Sequence, residues 1–468
     1  MISSTSQGLI LLLTLVVAVR AEASGATELT DQLNAVLDQH ATARRTTVTL
    51  KVIDVESGAV LYDRGGDRLL TPASNLKIYT SACALDTFGP DHQFQTKVQV
   101  KGTLREGVLT GNLVLVGGGD AMLTSGDLDQ LADRVVKELG ITEIQGEVVA
   151  DNSRYASPLK GPGWMWDDDP EYYNMSITPL MVDFNVLELA LTAGEEEAIK
   201  ATLLLPTSYP SIKFVPRNSL GQDILATRRP FTHSLVVAQR GKLKKPETMR
   251  ITMLNPGKWV EGVFTAILIE RGVRFSSSKQ TASSTGGDSQ EVKHLGQSLA
   301  KTLKHFNHKS ENAVGEVLLH EIAIAKGAKK PKWADGAAFM SSWLIDTAGL
   351  EKDSFRLVDG SGLSRYNLIS ADSSVRLLKF MHQHPQAKTF YSALPTYEVQ
   401  IDGKKQKLVS AKPGGMGGVS TISGYVTTTR GQLLAFSLLA NGYIGSAKPV
   451  FGLRNEVWEV LARYEGTE

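Results

Sequence analysis

The chain has 468 residues, enough for about three domains with sizeable cores. With 42% hydrophobic and 21% charged residues, its composition excludes collagen-like, low-complexity and disordered chains. The 50 Lys and Arg against 49 Asp and Glu leave a net charge of +1, which gives no electrostatic reason to expect a nucleic-acid partner.

The first feature along the chain is an eleven-residue apolar run from Leu9 to Val19, ending before Arg20 and too short to span a bilayer comfortably. Followed by Ala21-Glu22-Ala23, a small-x-small cleavage pattern, it reads as a signal peptide over residues 1–23 and predicts an exported, periplasmic body with at most peripheral membrane association. No Lys or Arg precedes Leu9, so an uncleaved, weakly anchoring segment is the alternative. Leu29, Leu33, Val36 and Leu37 follow helical spacing, and Thr46 to Val55 alternates as a half-buried strand does. Glu56-Ser57-Gly58 breaks that strand, and Ala59 to Tyr62 can pair back as the second arm of a hairpin. Thr71-Pro72-Ala73 then opens a helix with Ser74 in its first turn, continued by the apolar stretch Asn75 to Leu85. Cys83, the only cysteine, lies in this stretch as a small buried hydrophobe, and no internal disulfide can form.

From about Phe94 to Leu204 the chain is rich in short alternating runs: Gln95 to Val100, Gly111 to Val116, Gln145 to Ala150 and Val186 to Leu191. The polar stretch Ser276 to Ser289 reads as a loop or boundary. Leu299, Leu303 and Phe306 predict a helix leading to Ser310, and Ala313 to Ala325 predicts another. Gly417 to Val426 and Leu433 to Asn441 read as paired strands, and Asn455 to Ala462 as a closing amphipathic helix.

Several catalytic signatures are missing: G-x-S-x-G, H-E-x-x-H and the G-x-x-x-x-G-K-[ST] phosphate loop. Gly117-Gly118-Gly119-Asp120 lacks the Lys and Ser/Thr of a nucleotide site and reads as a tight turn, and the nine histidines show no metal-ligand spacing, so no cofactor is expected. What remains is Ser74-Asn75-Leu76-Lys77. Residues three apart share a helix face, which brings the Lys77 amine to the Ser74 hydroxyl, and a partly desolvated lysine can take a proton that makes serine a nucleophile. The same spacing starts at Ser157, Ser276 and Ser298, but only Ser74 begins an apolar helix directly after a hairpin. Ser310-Glu311-Asn312 is the only S-x-N, and taken alone it reads as a helix N-cap. Lys412-Pro413-Gly414-Gly415 precedes the last strand pair, and taken alone it reads as a Gly-rich turn.

Together and in this order, the three resemble the S-x-x-K, S-D-N and K-T-G signature of penicillin-binding proteins and class A β-lactamases. The 233 positions from Lys77 to Ser310 are far more than a compact β-lactamase holds, so an insert is required. With Leu113 to Asp120, Trp166-Asp167-Asp168, Tyr172-Tyr173, Glu316, Asp359 to Ser364 and Gly424-Tyr425-Val426, the chain resembles the D-alanyl-D-alanine carboxypeptidase/endopeptidase family of low-molecular-mass class C penicillin-binding proteins, the S13 serine peptidases. The resemblance implies an α+β fold: a transpeptidase/β-lactamase-like catalytic domain, an antiparallel sheet flanked by helices, over 24–90 and 285–468. A strand-rich insert over 91–284, with two nested subdomains, would interrupt it.

The resemblance also implies roles. Ser74 attacks the carbonyl between two D-alanines of a peptidoglycan stem peptide, Lys77 is its base, and Ser310 passes the proton to the leaving amine. Asn312 holds the substrate amide, Lys412 supplies positive charge for the terminal carboxylate and for tuning Lys77, and the N–H groups of Ser74 and Gly415 form the oxyanion hole. Asp168 and Met416 face the diaminopimelate side chain, although an Asp-rich turn and a core residue are their plain alternatives. β-Lactams would act as acylating inhibitors. One departure stands out: Pro413 and Gly415 occupy the places of the two threonines of K-T-G-T. A lost charge-assisted hydrogen bond costs roughly 1.5 to 3 kcal/mol, so weakened turnover is expected, and a penicillin-binding homologue without turnover is one alternative. A non-catalytic wall-binding module and a Ser-Lys esterase are the others.

Overall fold

The computed structural model describes residues 27–207, 209–220, 225–229, 231–276 and 290–466. The leader over 1–23 and the boundary stretch at 277–289 lie outside the described residues. The chain divides into two units, one running through Asp86 and including Leu303–Ser310 and Met340 onward, the other comprising Thr87–Thr302 and Glu311–Phe339.

The first unit is built on a six-stranded antiparallel sheet. A helix at residues 27–39 (α1) leads into β1 (Thr47–Asp54) and β2 (Val60–Arg64), which form the expected hairpin. Its turn is set by Asp54, whose Oδ1 accepts from the Ser57 backbone N–H at 2.7 Å and hydroxyl at 2.6 Å. After Lys77–Phe88 (α2), Leu299–Lys309 (α3) and Ala371–Gln383 (α4) come β3 (Thr396–Ile401), β4 (Lys404–Met416), β5 (Val419–Thr427), β6 (Leu433–Asn441) and the closing helix α5 (Lys448–Arg463). The strand order is β3-β4-β5-β6-β1-β2, with Leu50 opposite Leu438 and Lys412 opposite Ser423.

Strand alternation gives this sheet two covered faces. Leu50, Val52, Ile422, Val426, Phe436 and Leu438 point to one side, where Leu33 and Leu37 of α1 and Leu453, Trp458 and Leu461 of α5 close a core. Each such buried side chain contributes about 1.5–3 kcal/mol relative to exposure. The residues between them, Ser410, Lys412, Gly414, Thr421, Ser423 and Ser437, face the other side, which receives Ala73–Leu76 and α4. That second face carries hydroxyls and an amine where the first carries hydrocarbon.

The second unit is strand-rich, as the alternating runs predict, and also carries the helices Ser125–Leu139 and Pro256–Glu270. Strands Gln93–Arg105 and Val108–Val116 form an antiparallel hairpin. The run Gln145 to Ala150 is divided between two short strands, Glu143–Gln145 and Val148–Asp151, both parallel to Val108–Val116. Asn112 accounts for the break, its Oδ1 accepting from the Glu147 N–H at 3.0 Å. The helix Ser125–Leu139 begins at a capping box between Thr124 and Asp127 and buries Leu128, Leu131, Ala132 and Val135 on one stripe. The triple glycine is a packing point: a Cβ on Gly118 would stand 1.7 Å from the Gln95 carbonyl oxygen, so the neighbouring strand approaches closer than any side chain permits.

Candidate active site

Ser74 lies in a 3-10 turn, Ala73–Leu76, placed directly before α2. In that geometry residues three apart eclipse, and the Lys77 Nζ donates to Ser74 Oγ at 2.9 Å. The contact expected on a helix face is thus made one turn earlier, across the junction. Ala73 takes a φ of +48°, a strained conformation for a residue with a Cβ, immediately before the serine. Lys77 is fully buried and also donates to the Ser361 carbonyl at 2.8 Å, its amine 5.6 Å from the centre of the Phe306 ring.

Asn75, between them, is a staple that sequence spacing did not reveal. Its Nδ2 donates to the Lys412 carbonyl at 2.6 Å, and its Oδ1 accepts from the Ser423 hydroxyl at 2.9 Å, tying the turn to β4 and β5. Thr421 adds a bond from Oγ1 to the Pro72 carbonyl at 2.5 Å. Gly414 lets the turn sit this close: a Cβ there would meet the Pro72 oxygen at 2.4 Å and the Asn75 nitrogen at 2.6 Å. The segment Asp359 to Ser364 is held by Asp359, which accepts from the N–H groups of Gly362 at 2.8 Å and Ser364 at 2.6 Å and from Asn367 Nδ2 at 2.7 Å. This turn presents the Ser361 carbonyl to Lys77, a backbone role that no side-chain motif announces.

Ser310 follows α3, whose Asn307 donates to Ser81 of α2 at 2.9 Å. The N-cap reading of Ser310 is corrected here: the cap position of the next helix belongs to Glu311, with no side-chain cap bond. Ser310 instead has a φ of +59°, a conformation costing on the order of 1–3 kcal/mol, and its Oγ accepts from the Lys412 Nζ at 3.0 Å. Burial, reinforced by the nearby charge of Lys77, holds the Lys412 amine well below the usual lysine range. Two serine–lysine pairs therefore stand in one unit, and the lysines influence each other.

The Gly-rich turn reading of the third motif gives way to strand, since Lys412 to Gly415 all lie within β4. The Ala411 N–H donates to the Pro395 carbonyl on the β3 side at 2.9 Å. Alternation puts residues 413 and 415 on that same edge, beyond the last residue that β3 covers, so Pro413 removes no bond to β5 and the Gly415 N–H faces the open edge. Ser74, Ser310, Lys412 and Gly415 line one cavity of about 380 Å³. Met416 ends β4, half-buried opposite Val419.

Asn312 and Asp168 belong to the second unit, where Tyr173 joins them. The Asn312 Nδ2 donates to the Tyr173 carbonyl at 3.0 Å, and the Tyr173 hydroxyl donates to Asp168 Oδ1 at 2.8 Å. Burial, then the Asp168 carboxylate, pushes the Tyr173 phenol upward. Asp169 is buried and pairs with Arg228, so it is a structural ion-pair partner, whereas Asp167 is exposed.

The antiparallel sheet flanked by helices, with Ser74 on the turn before α2 and Lys412 on the strand beneath it, defines the transpeptidase/β-lactamase-like class of serine hydrolase fold. The chain belongs to the D-Ala-D-Ala carboxypeptidase 3 (S13) family, whose sequence profile matches residues 29–456. It is 31% identical over 480 residues to the D-alanyl-D-alanine carboxypeptidase of Actinomadura sp. (strain R39), covering 95% of this chain and 87% of that one. The crystal structure of penicillin binding protein 4 (dacB) from Haemophilus influenzae superposes with a TM-score of 0.77 at 22% identity, covering 93% of this chain and 99% of the other. A structure of the same protein complexed with a β-lactam gives 0.72 at 22%, again over 93% and 99%. These likenesses agree with the fold expected from the motifs.

Proposed function

We propose that the protein is a serine-type D-Ala-D-Ala carboxypeptidase/endopeptidase that hydrolyses peptidoglycan stem peptides through an acyl-enzyme on Ser74. The observation that carries the proposal is the 2.9 Å contact between Lys77 Nζ and Ser74 Oγ, in a unit where a second amine, Lys412, holds Ser310. Lys77 takes the Ser74 proton as Oγ attacks the carbonyl carbon between the two D-alanines. The oxyanion forms against the N–H groups of Ser74 and Gly415. As the C–N bond breaks, Ser310 gives its proton to the leaving amine and regains one from the lysine pair. Water then attacks the ester, the base role returning to Lys77, and releases the shortened peptide with a free Ser74. Asn312 is assigned the substrate amide, and Asp168 and Met416 the distal side chain, on the family resemblance alone.

Ser74 is also the residue proposed to be acylated by β-lactams. The apolar leader of the sequence and a peptidoglycan substrate support a periplasmic location. No helix among the described residues is long and apolar enough to cross a membrane.

The test is release of D-alanine from a pentapeptide ending in D-Ala-D-Ala, and of monomers from a cross-linked dimer. Wild type is expected to release one or both products and Ser74→Ala neither. Equal release by the two proteins would overturn the proposal. Pro413 favours one second reading, a protein that acylates but does not turn over, for which penicillin would label Ser74 and peptide would give no product.

A further inference from the structure

The departure at the third motif raises a question of charge. Pro413 and Gly415 carry no hydroxyl, and the Lys412 amine is committed to Ser310 and held well below its usual range by burial and by Lys77. A substrate that ends in a carboxylate needs a positive group, and another cation lines the same cavity of about 380 Å³ as Ser74 and Lys412. It is Arg454, on α5.

Alternation points Pro413 and Gly415 to the α5 side of the sheet, where a threonine at either position would reach toward this helix. The Arg454 guanidinium is held over three rings, 4.6 Å from the centre of Trp458, 4.9 Å from Phe451 and 5.7 Å from Tyr397. Its Nε is buried and bonds to nothing among the described residues. Among the described residues, no carboxylate pairs with it. The titratable neighbour that bears on it is the Tyr397 phenol, and burial pulls its pKa below the usual arginine range without making it neutral at working pH. Stacking on the rings fixes the guanidinium plane, and a guanidinium held in one plane suits bidentate capture of a carboxylate.

We propose that Arg454 binds the C-terminal carboxylate of the D-Ala-D-Ala substrate, replacing the hydroxyls that Pro413 and Gly415 lack. The inference rests on the carboxypeptidase reading and adds a specificity-determining residue to it. Substrate lies along the open edge of β4 with its carboxylate turned toward α5, and the proton relay of Lys412 and Ser310 stays free of the carboxylate's charge.

The test is calorimetric titration of an N-acylated peptide ending in D-Ala-D-Ala, and of its C-terminal amide, into the full chain carrying Ser74→Ala to prevent turnover. The acid is expected to bind roughly ten- to a hundredfold tighter than the amide, the range for a charge-assisted bond. Adding Arg454→Gln should reduce that ratio to near one, and Arg454→Lys should keep part of it. A purely structural role for Arg454 would lower the melting temperature and leave the ratio unchanged, which would overturn the proposal. Equal binding of acid and amide to the parent, or no binding of the acid, would overturn it as well. Failure of the carboxypeptidase reading has a different signature: the acid preference persists while protein with Ser74 intact releases no D-alanine.

Discussion

Two side chains three residues apart are the proposed nucleophile and base, and a third between them ties their turn to the sheet. Ser74 and Lys77 were legible because their spacing alone puts amine and hydroxyl on one side of a turn. Asn75 was not, because its partners, Lys412 and Ser423, lie more than three hundred positions away and only the folded sheet brings them close. Asn75→Ala removes two buried hydrogen bonds, one to the Lys412 carbonyl and one from the Ser423 hydroxyl, which keeps Ser437 at 2.8 Å, and should cost about 1–3 kcal/mol of stability. Penicillin acylation of Ser74 should slow in the same variant, because the turn is no longer tied to β4. Urea unfolding and the acylation rate check the two effects, and wild-type values for both would refute the staple. The Ser361 carbonyl was equally hidden, since a backbone acceptor leaves no mark in side-chain motifs.

At the scale of an element, β4 joins a proline, two glycines and a buried lysine on its open end. The pairing of β5 with β6 was legible from alternation and turn residues, and α5 from its apolar stripe. The 3-10 geometry at Ala73–Leu76 was not, because propensity does not separate one tight turn from the start of an α-helix. Pro413→Thr restores a hydroxyl and an N–H at the edge and is expected to raise kcat/KM about tenfold. The thermal midpoint should change little, since residue 413 makes no bond to β5. Unchanged kinetics would mean that the lost hydroxyl is already fully compensated. Gly414→Ala should do the reverse, destabilising by about 1–3 kcal/mol because its Cβ overlaps Pro72 and Asn75. Retention of both stability and acylation in that variant would contradict the close approach of the turn.

Across the whole molecule, the long interval between the first two motifs required an insert, and the second unit is strand-rich, as the alternating runs of the sequence indicated. Its helix Ser125–Leu139 and the pairing of Asp169 with Arg228 were hidden, the first by the density of strand signals around it, the second by its long range. The same unit carries a pH liability. Burial pushes the Asp120 carboxyl up to about 6, although the Met122 N–H donates to Oδ1 at 2.9 Å; His294 pulls it down and Asp127 pushes it up, both more weakly. Oδ2 is buried with no partner among the described residues. The raised folded-state pKa means that the folded protein holds this proton longer than the unfolded chain does. Stability from this group is therefore present below the unfolded value of 3.8 and is lost as pH rises through about 6. Between about pH 4.5 and about pH 7.5, Asp120→Asn should gain roughly 2 kcal/mol relative to wild type. Urea unfolding at both pH values measures this, and a difference that does not move with pH would refute it.

Whether Ser74 is the nucleophile of a serine–lysine pair is decided by intact mass after exposure to penicillin. An increase equal to one penicillin is expected, mapped by proteolysis to the peptide containing Ser74 and abolished by Ser74→Ala. Adduct on any other residue, or equal labelling of the alanine variant, would contradict it.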